Sequence, residues 1–333
     1  DYPRSVTFFE ERLYWAGSNN NPQTVWASKS GDFLNMDAGT GLDDESVEFT
    51  LATDDVNVIY WLKASDVLLI GTVGGEFKLH GNGNPVTPSN VRVVQETKYG
   101  SSKVSPVTSG RAVLFNQRAT KKVRQMIFDL NVEGFVAPDL TILAEDITGD
   151  GITHMAYQQE PDSIVWAVRT DGVLIGLTYQ RDQQVVAWHQ HPVGGTRTEV
   201  ESVAVIPSAD GKSDELWISV KRTIGGSTVR SIEYLDPTIY VDSGLSYTGS
   251  ATSSFSGLEH LEGQVVQIVG DNAVYASKTV SSGSVSISED VTTAYIGLAY
   301  ATEIVTLPPE VPQKDGASFG KKKGWNRIIL NIY

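Results

Sequence analysis

The sequence predicts an all-β fold: a β-propeller core of five or six blades with an inserted small β-barrel domain. Short apolar segments alternate with polar neighbours and are bounded by Gly, Asp and Asn turns, the pattern of β-strands. A unit of strand, turn, apolar strand, turn and aromatic-ended strand recurs roughly every 50 residues, a period typical of propeller blades. Between residues 261 and 300 the β-segments instead follow one another about every ten residues, which suits a small barrel.

The recurring unit is visible five times. Its first strongly apolar strand contains, in successive units, Leu13, Leu68, Ala112, Ile164 and Leu216. Each of these strands is preceded by another β-segment, in order SVTFF, VNVIYWL, VSPVTS, ITHMAYQ and VESVAVIP. Asp171-Gly172 and Gly225-Gly226 are hairpin turn signals, because glycine tolerates positive φ. The units share a pattern rather than identity, so a pair of irregular β-sandwiches is the main competing fold.

The change of rhythm defines the predicted domains. Residues 1–236 form the propeller core, residues 237–315 the inserted small β-barrel, and residues 316–333 a C-terminal strand that returns to the core and pairs there. The segment TLPPEVPQ (306–313) predicts a stiff exit from the barrel, since proline fixes φ and disfavours helix.

The stretch SVTFFEERLYWAG (5–17) concentrates four aromatic side chains around one charged cluster, Glu10-Glu11-Arg12. We interpret Phe8-Phe9 and Tyr14-Trp15 as members of two neighbouring strands. Trp61, Trp166 and Trp217 occupy comparable places in later units, so packing between stacked sheets explains these aromatic residues better than a ligand site does.

Composition bounds the chemistry. The 333 residues include no cysteine, which excludes disulfides, thiol catalysis and thiolate zinc sites, and they carry a formal net charge of −14. An acidic chain repels phosphate, so specific grip on nucleic acid is not expected, although nucleic acid would slide past such a surface without sticking. The apolar runs are too short for a transmembrane helix. The chain opens on Asp1 in mid-pattern, and we expect a trimmed piece of a longer protein.

Motifs that could carry catalysis or cofactors are weak, and we predict no catalytic, cofactor-binding or metal-binding residue. DITGDG (146–151) lacks the acidic twelfth position of a calcium loop, where Tyr157 stands. WHQH (188–191) places two histidines on one strand face but suggests no third metal ligand, and His80, His154 and His260 are scattered. GTVGGEFKLHGNG (71–83) lacks the Lys-Ser/Thr of a phosphate loop, and no Gly-x-Ser-x-Gly nucleophile motif occurs.

We interpret the charged clusters as solvated turns and loops. The acidic pairs Asp43-Asp44 and Asp54-Asp55 are adjacent in a strongly acidic chain. Lys121-Lys122 and Lys321-Lys322-Lys323 are the dense basic clusters, and they could contact an acidic neighbouring subunit or nucleic acid.

Several long stretches resemble one family of phage and prophage structural proteins. They are YPRSVTFFEERLYWAGSNNNPQTVWASKSGDF (2–33), LLIGTVGGEF (68–77), DLTILAEDIT (139–148), MAYQQEPDSIVWAVRTDGVLIGLTYQRDQQVVAWHQH (155–191) and ELWISVKRTIGG (215–226). The family is similar to the tail nozzle, or tail tubular protein B, of short-tailed phages. GLEHLEGQVVQIVGDNAVY (257–275) resembles the first-catalytic-cysteine half-domain of ubiquitin-activating enzymes, a label that here means a small β-barrel without ubiquitin chemistry.

The resemblance implies a non-enzymatic virion protein, assembled in the host cytoplasm, without cofactors. Its members form a ring, six copies being the expectation, around the DNA exit channel below the portal and adaptor, with tail fibre proteins as further partners. DNA passes through without specific binding. Members are longer at the N-terminus. Asp43, Asp44 and Glu45 are candidate acidic residues of the channel surface.

Two other functions remain open at this point. The first is a binding module that recognises host glycan or docks a tail fibre. Exposed aromatic side chains among Tyr240, Tyr247 and Phe255 would favour this function. The second is a glycan-cleaving propeller enzyme, which needs two carboxylates roughly 5–10 Å apart in a central cleft.

Overall fold

A computed structural model of the protein describes residues 1–52, 57–305, 324 and 327. In these residues 23 strands form six antiparallel sheets, and helix is confined to one α-helical turn, α1 (Glu145–Thr148), and two short 3-10 turns at Arg181–Gln183 and Glu259–Leu261. The all-β prediction is therefore confirmed.

The first four sheets are four-stranded meanders. Sheet 1 consists of β1 (Ser5–Phe9), β2 (Arg12–Ala16), β3 (Thr24–Ala27) and β4 (Val47–Thr50). Sheet 2 consists of β5 (Ile59–Ala64), β6 (Leu68–Thr72), β7 (Glu76–His80) and β8 (Arg92–Thr97). Sheet 3 consists of β9 (Val107–Ser109), β10 (Ala112–Asn116), β11 (Val123–Asp129) and β12 (Gly134–Val136). Sheet 4 consists of β13 (Ile152–Gln158), β14 (Ile164–Arg169), β15 (Leu174–Gln180) and β16 (Val185–His191).

The last two sheets differ from this pattern. Sheet 5 has three described strands, β17 (Glu199–Pro207), β18 (Asp214–Ile224) and β19 (Ser227–Tyr234), and β19 pairs with β18 alone among the described strands. Sheet 6 consists of β20 (Asp242–Ser256), β21 (Val265–Gly270), β22 (Ala273–Thr279) and β23 (Ser284–Leu298), in the order β20-β23-β21-β22.

Sheets 1 to 5 pack face to face in chain order. Each of four hydrophobic clusters draws its buried side chains from two successive sheets: 1 with 2, 2 with 3, 3 with 4, and 4 with 5. The inner strands serve two clusters at once. In β14, Val165 and Ala167 pack toward sheet 3, whereas Trp166 and Val168 pack toward sheet 5. Period-2 alternation with both faces buried explains the continuous apolar runs of these strands.

The repeat read from the sequence corresponds to these sheets. All five aligned residues lie in the second strand of successive sheets, β2, β6, β10, β14 and β18, and each preceding segment overlaps a first strand. The prediction that Trp61, Trp166 and Trp217 occupy comparable places in their units is correct for only two of them. Trp166 and Trp217 lie in second strands, but Trp61 lies in the first strand of sheet 2. There it covers Gly71 of the paired strand, where a Cβ would lie 1.9 Å from the indole Cε2.

The prediction that the opening aromatics are core residues is correct for only part of the set. Phe9 and Tyr14 are buried, and Tyr14 has no solvent exposure, but Phe8 is 61% exposed and Trp15 is half-buried. The turn between β1 and β2 consists of Glu10 and Glu11, both with positive φ. Two-residue turns with positive φ at both positions match the twist of the flanking strands and usually contain Asn-Gly. Glu10-Glu11 is an unusual sequence for such a turn, so the turn could not be recognised from its residue types.

Sheet 6 has a hydrophobic core of its own, formed by twelve buried residues from Phe255 to Leu298. The expectation of four short segments between 261 and 300 is corrected, because the last two merge into the 15-residue strand β23. The Ser/Thr/Gly-rich stretch before them is the 15-residue strand β20. Register shifts along the β20–β23 pair bend both strands.

Residues 301–333 form a second compact unit, separate from 1–300. Its described residues have no regular secondary structure. The predicted exit segment 306–313, the C-terminal strand at 316–333 and Lys321-Lys322-Lys323 lie outside the described residues, apart from the isolated positions 324 and 327.

Candidate binding surface

The outer face of sheet 1, opposite the face that packs on sheet 2, exposes an aromatic row. Antiparallel pairing places Val6 opposite Trp15, and Trp15 opposite Trp26. Because directly paired residues share a sheet face, these side chains lie side by side on β1, β2 and β3. Both indoles are half-buried, and Val6 is 52% exposed. We call this surface the Trp15–Trp26 groove.

A cavity of about 470 Å³ opens at this groove. Its lining combines aromatic, apolar and polar side chains and includes Tyr2, Trp15, Ser18, Asn21, Trp26 and Met36. A volume in this range accommodates a small-molecule ligand. The groove therefore joins apolar platforms to hydrogen-bonding groups at its rim.

Backbone hydrogen bonds fix the polar rim. The Asn21 N–H donates to Ser18 Oγ over 3.0 Å, and the Asn21 carbonyl accepts from the Ser18 N–H over 3.1 Å. The Asp1 carboxylate accepts the N–H groups of Asn19 and Asn20 at 3.0 and 2.9 Å. The side-chain amide of Asn21 is exposed and makes no hydrogen bond to a described group, so it is available to a ligand.

The opposite wall, which contains Met36, belongs to the long loop between β3 and β4. Arg12 is 2% exposed, and its guanidinium donates to the carbonyls of Ser28, Glu45 and Asp43 at 2.7, 2.5 and 2.6 Å. The Glu45 carboxylate accepts the backbone N–H groups of Thr40, Gly41 and Leu42, and these bonds, that of Leu42 first, lower its pKa. One buried cation and one carboxylate thus hold this loop in place.

These contacts bear on the predicted channel acids. Asp43 and Asp44 are exposed, but Glu45 is only 8% exposed, and its carboxylate is bonded to backbone N–H groups of its own loop. Glu45 organises the loop rather than presenting charge to solvent. The pair Asp54-Asp55 lies outside the described residues.

The outer face of sheet 5 is the second exposed aromatic surface. Trp217 pairs with Tyr234, and their rings lie 5.1 Å apart at 31°. Ile232 on the same face is 75% exposed, and Tyr234 is 51% exposed. Leu216 and Val220 point the other way, into the cluster with sheet 4. We call this surface the Trp217–Tyr234 face.

The two histidines of WHQH do share one face of β16. His189 Nδ1 and His191 Nε2 are 2.6 Å apart, and both rings contact Trp166 edge to face. Burial, and to a smaller extent the neighbouring His189, lower the pKa of His191 to about 4, and burial also lowers the pKa of His189. Two nitrogens this close share one proton, and in the described part of the chain no three His, Asp, Glu or Cys side chains are grouped to hold a metal ion.

The remaining sequence candidates have structural partners or remain solvated. Lys122 pairs with Asp139 over 2.9 Å, and Lys121 is exposed. In DITGDG the first residues form α1, and Asp150 pairs with Arg169 over 3.0 Å. Among the aromatics proposed for a binding role in residues 237–315, Phe255 is buried, Tyr247 packs on it and Tyr240 is 67% exposed.

Sequence reasoning did not identify Trp26 or Asn21. A signal was present: Trp15-Ala16 and Trp26-Ala27 repeat the same dipeptide in strands that pair directly. The small alanines face the core, so the tryptophans must face outward.

Within the described residues, no helix has the length and apolar character needed to span a membrane. No family model matches the chain, and no curated protein matches it.

Solved structures similar to this chain include an auxiliary nutrient binding protein from Bacteroides thetaiotaomicron, at 8% identity and TM-score 0.39, covering 90% of this chain and 69% of that one. A protein from Lactobacillus plantarum aligns at 11% identity and TM-score 0.43, covering 88% and 87%. Chaetomium thermophilum Raptor aligns at 12% identity and TM-score 0.39, covering 91% of this chain and 28% of Raptor. All three TM-scores lie below 0.5, so these likenesses support no assignment of function.

Proposed function

We propose that this protein is a structural subunit of a phage tail, a tail-nozzle component that assembles into a ring around the DNA exit channel of a short-tailed phage. In this proposal it is not an enzyme. The observation that carries the proposal is the Trp217–Tyr234 face, where no sheet of the described residues covers Trp217, Tyr234 and Ile232. Exposed aromatic and aliphatic side chains grouped on one face are typical of surfaces that a protein partner covers.

The architecture that we propose is a propeller core in residues 1–236, with five or six blades, and a small barrel in residues 237–315. Four shared hydrophobic clusters between successive sheets support the first part, since each propeller blade packs on its neighbours. The separate core of sheet 6 supports the second part. Sheets packed on both sides deform little, which suits a component that transmits force.

The charge of the chain fits a DNA channel. A formal net charge of −14 disfavours adhesion of phosphate, and exposed Asp43 and Asp44 are the acidic residues that we assign to the channel surface. The adaptor, the portal and the tail fibre proteins are the proposed partners. Glu45 is omitted from this set because its carboxylate is bonded within its loop.

The experiment examines particles and assembly together. Mass spectrometry of phage particles, purified from cultures that carry the gene, should detect the protein, and electron microscopy of the purified protein should show rings with an open channel. Ile232→Glu should reduce ring formation, because it places a charge on the Trp217–Tyr234 face. Val274→Glu is the matched control, since Val274 is 79% exposed on sheet 6. Particles without the protein, or rings unaffected by the Ile232 substitution, would refute the proposal.

A binding module is the second candidate function, and the Trp15–Trp26 groove favours it. This groove combines aromatic side chains with polar groups at its rim, as ligand sites usually do. Binding and assembly use different faces of the chain, so the two functions are compatible.

A further inference from the structure

We propose that the Trp15–Trp26 groove is a carbohydrate-binding site for uncharged pyranose sugars. Sugar rings would stack on the indoles of Trp15 and Trp26, and Asn21 would hydrogen-bond to their hydroxyl groups. The inference deepens the second candidate function and does not depend on ring assembly.

The indole N–H groups distinguish these two tryptophans from most others in the chain. Among the described tryptophans, Trp166, Trp188 and Trp217 donate Nε1–H to protein acceptors over 2.7 to 3.0 Å. Trp61 is 2% exposed. Trp15 and Trp26 are half-buried, and neither indole makes a hydrogen bond to a described group. Their N–H groups, which have no acceptor among the described residues, can therefore donate to a ligand.

The arrangement matches the two-sided chemistry of a pyranose. One face of such a ring carries weakly positive C–H groups, which are attracted to the negative face of an aromatic ring. The hydroxyl groups at the ring edge need donors and acceptors, and a carboxamide supplies both. Asn21 has a backbone fixed by Ser18, and its side-chain amide has no partner among the described residues, so it can offer these groups to a ligand.

The walls of the groove are already in place without a ligand. On one side, the two hydrogen bonds between Ser18 and Asn21 fix the polar rim. On the other side, Arg12 fixes the loop that carries Met36. A cavity of about 470 Å³ lies between them, within the range of pockets for small ligands.

Charge selects the class of sugar. The chain has a formal net charge of −14, and the Asp1 carboxylate lies at the groove. Uronic acids, sialic acids and phosphorylated sugars would meet repulsion there. Neutral hexopyranoses and N-acetylhexosamines are therefore the ligands that fit.

The test is a titration with three probes: maltotriose, mannotriose and N,N′,N″-triacetylchitotriose. Quenching of tryptophan fluorescence and calorimetry should both detect at least one probe. Trp26→Ala should weaken that binding at least ten-fold, and Asn21→Ala, an exposed position at which the fold is not at risk, about three-fold or more. Trp217→Ala is the matched control, because it removes a half-buried tryptophan from a different sheet face, and it should leave affinity unchanged.

Three results would overturn the proposal. The first is no binding of any probe at millimolar concentration. The second is equal loss of affinity in Trp217→Ala and Trp26→Ala, which would place binding elsewhere. The third is self-association of the wild-type chain that Trp26→Ala abolishes, which would show that a second copy covers the groove. None of these results depends on whether the protein occurs in phage particles, so this proposal and the tail-nozzle proposal fail independently.

Discussion

Replacement of Arg12 by methionine should destabilise the protein by about 3 kcal/mol. The guanidinium is 2% exposed and bonds three backbone carbonyls, those of Ser28, Asp43 and Glu45. Methionine retains much of the apolar stem but donates no hydrogen bond. The Asp43 carbonyl lies on an exposed residue and can be rehydrated, so two buried acceptors remain without a partner. Each unsatisfied group costs roughly 1–3 kcal/mol, and local relaxation recovers part of the total.

Arg230→Met is the matched control. The Arg230 side chain is 61% exposed and pairs with Glu201 over 2.8 Å, so its loss should lower the free energy of unfolding far less than the loss of Arg12 does. Urea unfolding followed by tryptophan fluorescence gives both free energies. Amide hydrogen exchange should also rise at Thr40, Gly41 and Leu42 in the Arg12 variant alone, because that loop loses its anchor. If the two variants unfold at the same urea concentration, Arg12 does not hold the loop.

Three further predictions concern pH, packing and a turn. Burial lowers the pKa of His191 in the folded chain from 6.5 to about 4. As the pH falls, the unfolded chain therefore binds a proton at this histidine before the folded chain does. The free energy of unfolding should fall by roughly 2 kcal/mol between pH 6.5 and 4. His191→Gln should flatten that part of an acid-unfolding curve, and an unchanged curve would contradict the assignment. Gly71→Ala should lower the free energy of unfolding by at least about 3 kcal/mol, because the new methyl group collides with Trp61. Trp61→Phe should recover part of this loss in the double mutant. If urea unfolding shows that the two losses add, the collision is not the cause. Glu11→Gly should raise the unfolding free energy by about 0.5–1 kcal/mol, since Glu11 has φ of 56°, and a lower melting temperature would count against backbone strain there.

The repeating unit could be predicted because its physical cause is local. A strand buried on both faces must be largely apolar, and β6, β10 and β14 are apolar at every position except the last. Those apolar runs are flanked by polar turns, so the positions of the strands could be predicted from the sequence. No local sequence pattern indicates the number of strands in sheet 5 or the length of β20. β20 consists largely of Ser, Thr and Gly, and bulges within it depend on its partner β23.

The candidate groove was harder to predict for a related reason. Trp15 and Trp166 both lie in the second strand of a sheet and are both flanked by small or apolar residues. Trp166 is covered by sheet 5, whereas the equivalent face of sheet 1 has no sheet packed on it among the described residues. Sequence gives the face on which a side chain lies, but only tertiary packing determines whether a neighbour covers that face.

The same distinction explains why Glu45 is not the surface residue that was expected and why the structural role of Arg12 was not foreseen. An acidic loop next to Asp43 and Asp44 reads as surface charge, and two of the three carboxylates are indeed exposed. The loop must still satisfy its backbone groups, and Glu45 accepts three N–H groups while Arg12 supplies donors to the carbonyls. Arginine buried beside a turn is therefore a structural residue of the groove wall. Loss of Arg12 should then weaken sugar binding as well as stability, a coupling that Arg230→Met should not show.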